Sequence, residues 1–460
     1  MKKISIAIFL ITATLPLFAQ VNTPLPVEER TGVRLLSLNQ LKDSALRNNI
    51  SIRNAYHNID AAQEQRKEAF TKYFPNVSGV GAWFNADKGM AKTDINPSEM
   101  ISPEMSATLA QMLPPQMLAS LANPIHMSMM KNGVIAGISA VQPVFAGGQI
   151  INGNKLAKVG EDVSRLQLQL SEDEVVKNTE QYFWQIVTLK EKMKTVNTVE
   201  ELLNGINKDV TVAVKAGVAM RNDLLQVQLR QNEVESQKLK LNNGISILKL
   251  VLAQYCGLRD TTFDVSYDPE VSVPINLKQD HQQALLQTTE YQLLNKQVEA
   301  TNLQRKMAIG ENLPTVAVGA GYNYHTLLDN NHTFGMLFAT VSVPISSWWG
   351  GSHAIKRKKI EQQKAIDQLN DNSELLKIRM QKAWNEVDES YQQLLLARKS
   401  IKQAEENLRL NRNFYQAGTS TMSDLLQAQL LYQQAHDKHT DAFAEYQNKL
   451  LEYKIAVNCE

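Results

Sequence analysis

The chain has 460 residues, a net charge of +1 and 21% charged residues, so it lacks the global basic field that binds nucleic acid. Its hydrophobic fraction of 43% is ordinary, and past the N-terminal segment no apolar run reaches the ~20 residues of a membrane helix. Two cysteines, Cys256 and Cys459, do not make a disulfide scaffold, and the sequence leaves open whether they pair or stay separate thiols.

Residues 1–19 read as a secretory signal peptide: Lys2-Lys3, apolar Ile4 to Phe18, then Ala19 before the cut. No Cys follows, so no N-terminal lipid anchor is expected. Residues 20–34 are an extended leader. A first repeat spans 35–257. It opens with a helix to Tyr73, ended by Phe74-Pro75, and continues with an alternating strand from Asn76 to Ala86. An inserted loop (87–131) precedes a second strand, Val134 to Val144. Past Pro143 and Gly147-Gly148 the chain runs to Lys215 without a proline, which at 1.5 Å per residue is a helix of roughly 100 Å. A tip turn (215–222) and a return helix to Tyr255 close the unit.

Residues 258–275 read as an irregular linker, and then the order replays over 276–460. A helix ends at Leu313-Pro314. Strands follow at 315–325 and 334–343. Pro344 and Gly350-Gly351 lead into a long helix to Gln416, a tip turn (416–423) and a last helix. The duplication is legible residue by residue. Ala216-Gly217-x5-Asp223-Leu224-Leu225-Gln226 recurs 201 residues later as Ala417-Gly418-x5-Asp424-Leu425-Leu426-Gln427. Each copy reads as a hairpin, with Gly ending one helix in a left-handed conformation and Asp capping the next. Pro75 and Pro314 are 239 apart, so the difference between the two spacings falls in the loop between the first two strands.

The long helices carry a narrow seam at 3,4 spacing. It runs through Met380, Ala383, Val387, Ser390, Leu394 and Ala397 in one copy and Ile186, Leu189, Met193, Val196 and Leu203 in the other. Such a seam must be buried by helix–helix packing. A periplasmic coiled-coil scaffold would satisfy that condition too. The strands argue for more. Val316, Val318, Ala320, Tyr322 and Tyr324 alternate with small or polar residues over the length of a strand crossing an outer membrane. Trp83, Phe84, Tyr322, Tyr324, Phe334 and Phe338 are candidates for an aromatic girdle. Four strands cannot close a barrel, and lipid does not tolerate open edges. Two chains give eight strands, too tight for a channel; three give twelve, which can enclose one.

The chain resembles the TolC-like outer-membrane efflux proteins along essentially all of its mature length. The marks are Gln142-Pro143-Val-Phe-Ala-Gly147-Gly148, Val343-Pro344-Ile with Gly350-Gly351, the paired Ala-Gly-x5-Asp-Leu-Leu turns, and Leu41-x3-Ala45-Leu46-x2-Asn49. The resemblance implies an α+β membrane protein. Long antiparallel helices form a coiled-coil barrel in the periplasm, and four strands per chain make a twelve-stranded transmembrane β-barrel in a homotrimer. It implies a passive channel fed with small molecules by a periplasmic adaptor (a membrane fusion protein) and an inner-membrane pump. A type I outlet for polypeptides is the alternative on the same fold. The tip turns become the periplasmic gate. Tyr415 falls on the gate tyrosine, Asp223 on its partner and Asp424 on one ring aspartate. Ser420 replaces the gate arginine and Gln427 the other ring aspartate, with Arg221 a possible substitute at an unmatched position.

No catalytic motif, cofactor site or phosphate loop is present, and neither enzyme activity nor a resident metal is expected. The insert from Met90 to Met130 holds eight methionines and His126, which suits either flexible packing over the barrel mouth or Cu(I). His436 and His439 sit three apart on a helix, more in keeping with a solvated face than with a metal. Lys356-Arg357-Lys358-Lys359 marks the membrane rim or a wet helix start.

Overall fold

A computed structural model describes residues 34–89, 91–96, 99–114, 116–117, 125–268, 278–326 and 331–459. The expected signal peptide and all of the leader except Arg34 lie outside them. The chain is a duplicated set of long antiparallel helices carrying one four-stranded sheet.

The helix expected over 35–73 is instead a strand and two helices. Strand β1 (Arg34–Ser37) leads into α1 (Leu38–Asn48), where Ser37 and Gln40 form a reciprocal capping box. The break before α2 (Ile50–Thr71) is set by Asn49, whose backbone is extended at ψ 138°. Its side-chain oxygen accepts from Ser51 N–H at 2.8 Å, and its amide donates to Tyr255 O at 3.0 Å. Asn therefore caps locally while being held by a distant helix end. The second repeat breaks at the equivalent Thr288, between α6 (His281–Gln287) and α7 (Thr289–Gly310). The 258–275 segment, expected to be irregular, holds β6 (Phe263–Ser266), paired in parallel with β1. Phe263 and Val265 drive that pairing because both are buried.

The large sheet is antiparallel throughout, in the order β2 (Asn76–Asn85), β5 (Asn132–Ala146), β7 (Thr315–His325), β8 (His332–Ser342). Between β2 and β5 the insert makes a small hairpin, β3 (Ala91–Ile95) with β4 (Ile125–Met129), and a helix α3 (Pro103–Met112). Met90 and the side chains of 126–129 lie outside what is described, so the Cu(I) question falls there. Pairing registers align the faces across all four strands. Val77, Ala140, Ala320 and Leu337 lie in one row. The same face carries Trp83, Ile138, Val318, Tyr322 and Val341, all well exposed but Val318 less so. The opposite face carries Ser78, Ser139, Asn323, His325 and Thr340. The six candidate girdle aromatics divide accordingly. Trp83, Tyr322 and Tyr324 share the apolar face; Phe84, Phe334 and Phe338 are on the other. Phe338 is there to cover a glycine, since a Cβ at Gly319 would lie 2.3 Å from its ring.

From the sheet run α4 (Gln149–Lys215) and α8 (Ser347–Gln416), each about 100 Å by residue count. They turn back as α5 (Arg221–Cys256) and α9 (Met422–Ala456). The expected seams are where the helices meet: Met380, Val387, Ser390 and Leu394 are buried, as are Ile186, Val196, Leu203 and Val210. The largest core sits midway along the shafts, where Phe183, Trp184, Leu252, Tyr446 and Tyr453 gather around β1 and β6. A buried Glu180 ties α4 to Lys42 of α1 at 2.5 Å and to Trp184 Nε1 at 3.1 Å. Cys256 and Cys459 are not joined in a disulfide, and burial pushes the Cys256 thiol up to about 12.

Gly147 fixes the angle at which the first sheet pair enters its helix. Its φ is +60°, and a Cβ there would sit 2.2 Å from Gly310 O. Gly147→Ala is expected to destabilise the fold by ~2 kcal/mol or more, read as a lower denaturant midpoint; an unchanged midpoint would show that α7 yields without cost.

Candidate functional site: the sheet edges and the helical tip

Among the described residues two features set this chain apart from a packed globular domain. The first is the pair of sheet edges. The outer edges of β2 and β8 have no strand beside them in the chain. Each presents unpaired backbone groups next to exposed apolar side chains, an arrangement that a lone soluble chain would suppress.

The junctions beneath the sheet differ between repeats. Gly147 and Gly148 both have positive φ, and Gly148 starts α4. Pro143 lies within β5, at a bulge between Pro143 and Phe145, a place where a strand tolerates proline. Pro344 does lie in the turn, its carbonyl accepting from Ser347 N–H at 3.0 Å. Gly350 and Gly351, expected at the junction, are instead inside the first turn of α8. Gly351 is needed for packing, because a Cβ would overlap Asn312. The Asn312 carbonyl also accepts from Trp348 Nε1 at 2.9 Å.

The second feature is the tip. Gly217 (φ +73°) and Gly418 (φ +72°) end α4 and α8 in matching six-to-one and five-to-two closures. Val218 N–H donates to Ala213 O at 2.9 Å and Gly217 N–H to Val214 O at 3.1 Å. Thr419 and Gly418 repeat the pattern onto Phe414 and Tyr415. Asp223 and Asp424 then cap the return helices. Asp424 accepts from Thr421 N–H (3.0 Å), Thr421 Oγ1 (2.6 Å) and Ser420 Oγ (3.2 Å). Among the described residues Asp223 accepts only from Met220 N–H, at 3.2 Å. The Thr421 donors, with Ser420, hold the Asp424 carboxyl below its usual range.

The two tips touch through apolar side chains: Val210 and Val227 pack with Met422 and Leu425, and Tyr415 lies against them half-buried. Burial, and next the charge of Asp223, push the Tyr415 phenol up. No hydrogen bond joins Tyr415 to Asp223 among the described residues, so the bond implied by the resemblance is not formed within one chain. Arg221 starts α5 fully exposed, and Gln427 is exposed. Ser420 serves its own repeat's Asp424 and does not reach across.

One cross-link was not singled out by the sequence. Arg230 of α5 donates to Gln429 Oε1 at 2.9 Å and Gln433 Oε1 at 2.8 Å on α9. Gln433 passes the link back to Gln237 at 2.8 Å. Gln429 belongs to the repeated Asp-Leu-Leu-Gln-x-Gln run, but its counterpart Gln228 is exposed. Only the fold shows which copy turns inward.

No helix among the described residues is long and apolar enough to cross a membrane, and no cluster of three His, Cys, Asp or Glu side chains there can hold a metal. The His436 ring lies tilted against Tyr432, centroids 4.5 Å apart, and faces Glu405 at 3.7 Å.

Strands of membrane-crossing length whose outer edges are free among the described residues are mounted on helix pairs of about 100 Å. Residues 281–452 match the family model of the outer membrane efflux protein. No curated protein matches the chain. Among solved structures, the outer membrane protein VceC of Vibrio cholerae is 15% identical with a TM-score of 0.71, over 92% of this chain and 96% of its own. The CmeC outer membrane channel of Campylobacter jejuni is 14% identical at 0.71, over 91% and 85%. The open-state MtrE outer membrane channel of Neisseria gonorrhoeae is 14% identical at 0.68, over 92% and 89%. These findings bear out the resemblance to TolC-like outer-membrane efflux proteins, by family model across the second repeat and by shared fold across nearly the whole chain.

Asp424 gives the tip a pH dependence of known sign. A carboxyl whose folded pKa is depressed adds stability that is present above its unfolded value, near 4, and lost as pH falls through the folded one. Thermal midpoints are therefore expected to fall from this contribution below about pH 4, and Asp424→Asn to flatten that part of the profile. An Asn variant with the wild-type slope would show that the cap carries no charge.

Proposed function

We propose that three copies form the passive outer-membrane channel of a tripartite efflux system. In this reading the helices stand in the periplasm and the tips receive small molecules from an adaptor and an inner-membrane pump. One observation carries it: a sheet with an aligned apolar face and two unpaired edges is continuous with the long paired helices. A helical scaffold has no use for such a sheet. In a membrane the edges must be paired, and only closure does so. The apolar face then meets lipid, with Trp83 and Tyr324 toward the rim farther from the helices, and the Ser, Asn and His face lines the lumen.

The duplication predicts how the copies join. Within the chain, β5 of the first repeat pairs with β7 of the second, Ser139 opposite Gly321 and Gly137 opposite Asn323. Moving each partner by its repeat spacing, 201 forward and 239 back, sets Thr340 opposite Ala82 of the neighbouring copy and Phe338 opposite its Phe84. The helices follow suit: α4 packs on α7, so α8 packs on the neighbour's α2. Directly opposed Cβ atoms in an antiparallel pair are ~5 Å apart, within a disulfide's reach after small adjustment. Ala82→Cys with Thr340→Cys is expected to give a disulfide-linked trimer on a non-reducing gel, and either substitution alone to give none. Linkage by a pair one residue out of register, or monomer only, would overturn this assembly.

At the tip we infer that Gly217, Arg221, Asp223, Tyr415, Gly418 and Asp424 form the constriction. Asp223 has a single capping partner, so Asp223→Ala is expected to loosen that hairpin and raise single-channel conductance severalfold in planar bilayers. Tyr415→Phe is expected to raise it less, since the ring still packs on Met422 and Leu425. Conductance unchanged in both would remove these residues from the gate. In cells, deleting the gene is expected to sensitise the host to small toxic compounds, restored by the wild-type gene.

A further inference from the structure

We propose that the basic grooves at the sheet-proximal ends of the long helices bind the phosphate of anionic phospholipids in the periplasmic leaflet. The inference rests on the outer-membrane placement proposed above. The first groove is a cavity of about 640 Å³ between α2 and α4. Arg66, Lys155 and Lys158 line the part farther from the sheet; Phe70, Tyr73 and Ile151 line the part nearest it.

Its charge is not internally cancelled. Arg66 and Arg165 share the single carboxylate of Glu161, at 2.9 and 2.8 Å, which leaves one positive charge over. Lys67 is matched by Glu64 at 2.7 Å. Lys155 and Lys158 are exposed and have no carboxylate partner among the described residues. The aromatic end is equally unspent. Phe70 touches Tyr73 and Phe74 edge-on at 5.5 and 5.6 Å, yet all three rings are largely exposed.

The groove opens on the side that meets lipid. A second cavity of about 820 Å³ lies across the same helix pair. It is lined by Asn76, Pro143 and Ala146, which belong to the polar face of the sheet. The two cavities use opposite faces of α2, so the basic one lies beneath the apolar face. Lys155 and Lys158 sit about 9 and 14 Å from the start of α4. The polar region of a leaflet is ~5–8 Å deep, and lysine stems reach along apolar surface to put their charge at its edge. Aromatic rings at the boundary with cations just beyond match a phospholipid, with acyl chains above and phosphate below.

The second repeat reproduces the basic residues of this pattern but not its rings, since Phe70 and Tyr73 correspond to Ile309 and Asn312. At the same spacings, Arg66 and Lys67 correspond to Arg305 and Lys306, and Lys155 and Lys158 to Lys356 and Lys359. Glu161 becomes Gln362, which removes the carboxylate. Arg305 Nε is buried without a hydrogen-bond partner. The basic run at 356–359 is thus the second repeat's share of a duplicated basic collar.

The test uses the full-length trimer in detergent, titrated with phosphatidylglycerol, phosphatidylcholine or inorganic phosphate, and bound lipid counted by native mass spectrometry. The unsubstituted protein is expected to retain phosphatidylglycerol over phosphatidylcholine, with the preference lost in ~0.5 M salt. Replacing all four lysines (K155Q, K158Q, K356Q, K359Q) should weaken phosphatidylglycerol binding about thirtyfold per groove, and the four Lys→Arg changes should preserve it. Equal retention of the two lipids, wild-type binding by the Gln variant, or displacement by millimolar inorganic phosphate would each overturn the site. Conductance in pure phosphatidylcholine bilayers separates the two readings. If it is intact while lipid binding is indifferent to charge, the collar alone fails. If the unsubstituted protein gives none, the channel fails and the collar with it.

Discussion

The constraint on which this structure depends is the pair of unpaired sheet edges. Among the described residues the outward-facing backbone N–H and C=O groups of β2 and β8 have no strand to pair with, and hydrocarbon cannot supply a partner. Each edge also carries its share of an apolar face that no helix covers. In the proposed assembly these two deficits have a common remedy, the opposite edge of a neighbouring copy at a fixed register. The duplicated unit contains a template for that contact, because β5 with β7 is already a junction between two repeats. The proposed junction between chains is the same junction with the covalent link left out.

The helices obey a related logic with different forces. In the sheet, backbone pairing fixes register to the residue, since a slip of one would exchange the faces. In the shafts, the seam is narrow, and large and small residues alternate along it, as with Met380, Ala383 and Val387. That allows close approach without demanding one register. Uniqueness comes from polar ties at intervals: Lys42 with Glu180, Lys190 with Asp264 at 2.8 Å, and Arg230 with Gln429 and Gln433. A buried ion or amide contributes little net stability. Removing one partner, however, leaves the other desolvated, so each tie penalises sliding.

Much of this architecture was legible in the sequence, for physical reasons that also explain the gaps. Strand alternation and the long proline-free stretches have periods that survive any tertiary context, and the tip glycines are needed wherever a helix must stop short. The breaks at Asn49 and Thr288 were not legible, because each depends on what packs against it; Asn49 is held by a carbonyl 206 residues away. Strand β6 was hidden inside an apparent linker, since four residues are too few to show a period. Gly350-Gly351 misled because a glycine pair after a strand suggests a turn, whereas here Gly351 admits Asn312. The Arg230 ladder left no signal at all, as Gln228 and Gln429 are the same residue type in the same motif and face opposite ways.

Where the two repeats part company is itself informative. They agree at Pro75 and Pro314, Asn49 and Thr288, Gly217 and Gly418, positions at which backbone geometry decides. They differ where only side chains count. The second tip satisfies its aspartate with two hydroxyls and an N–H, the first with an N–H alone. Both hairpins have the same glycine closure, so the absence of hydroxyl donors at Ala219 and Met220 does not alter the path of the chain. It alters how firmly the return helix is anchored at its first turn, where a side-chain cap is worth ~1 kcal/mol. A duplicated unit that keeps its backbone and thins the cap on one hairpin has placed the weaker anchor at the far end of the shaft from the sheet. There a change in hairpin angle costs no strand pairing and disturbs only the small apolar cluster around Met422 and Leu425.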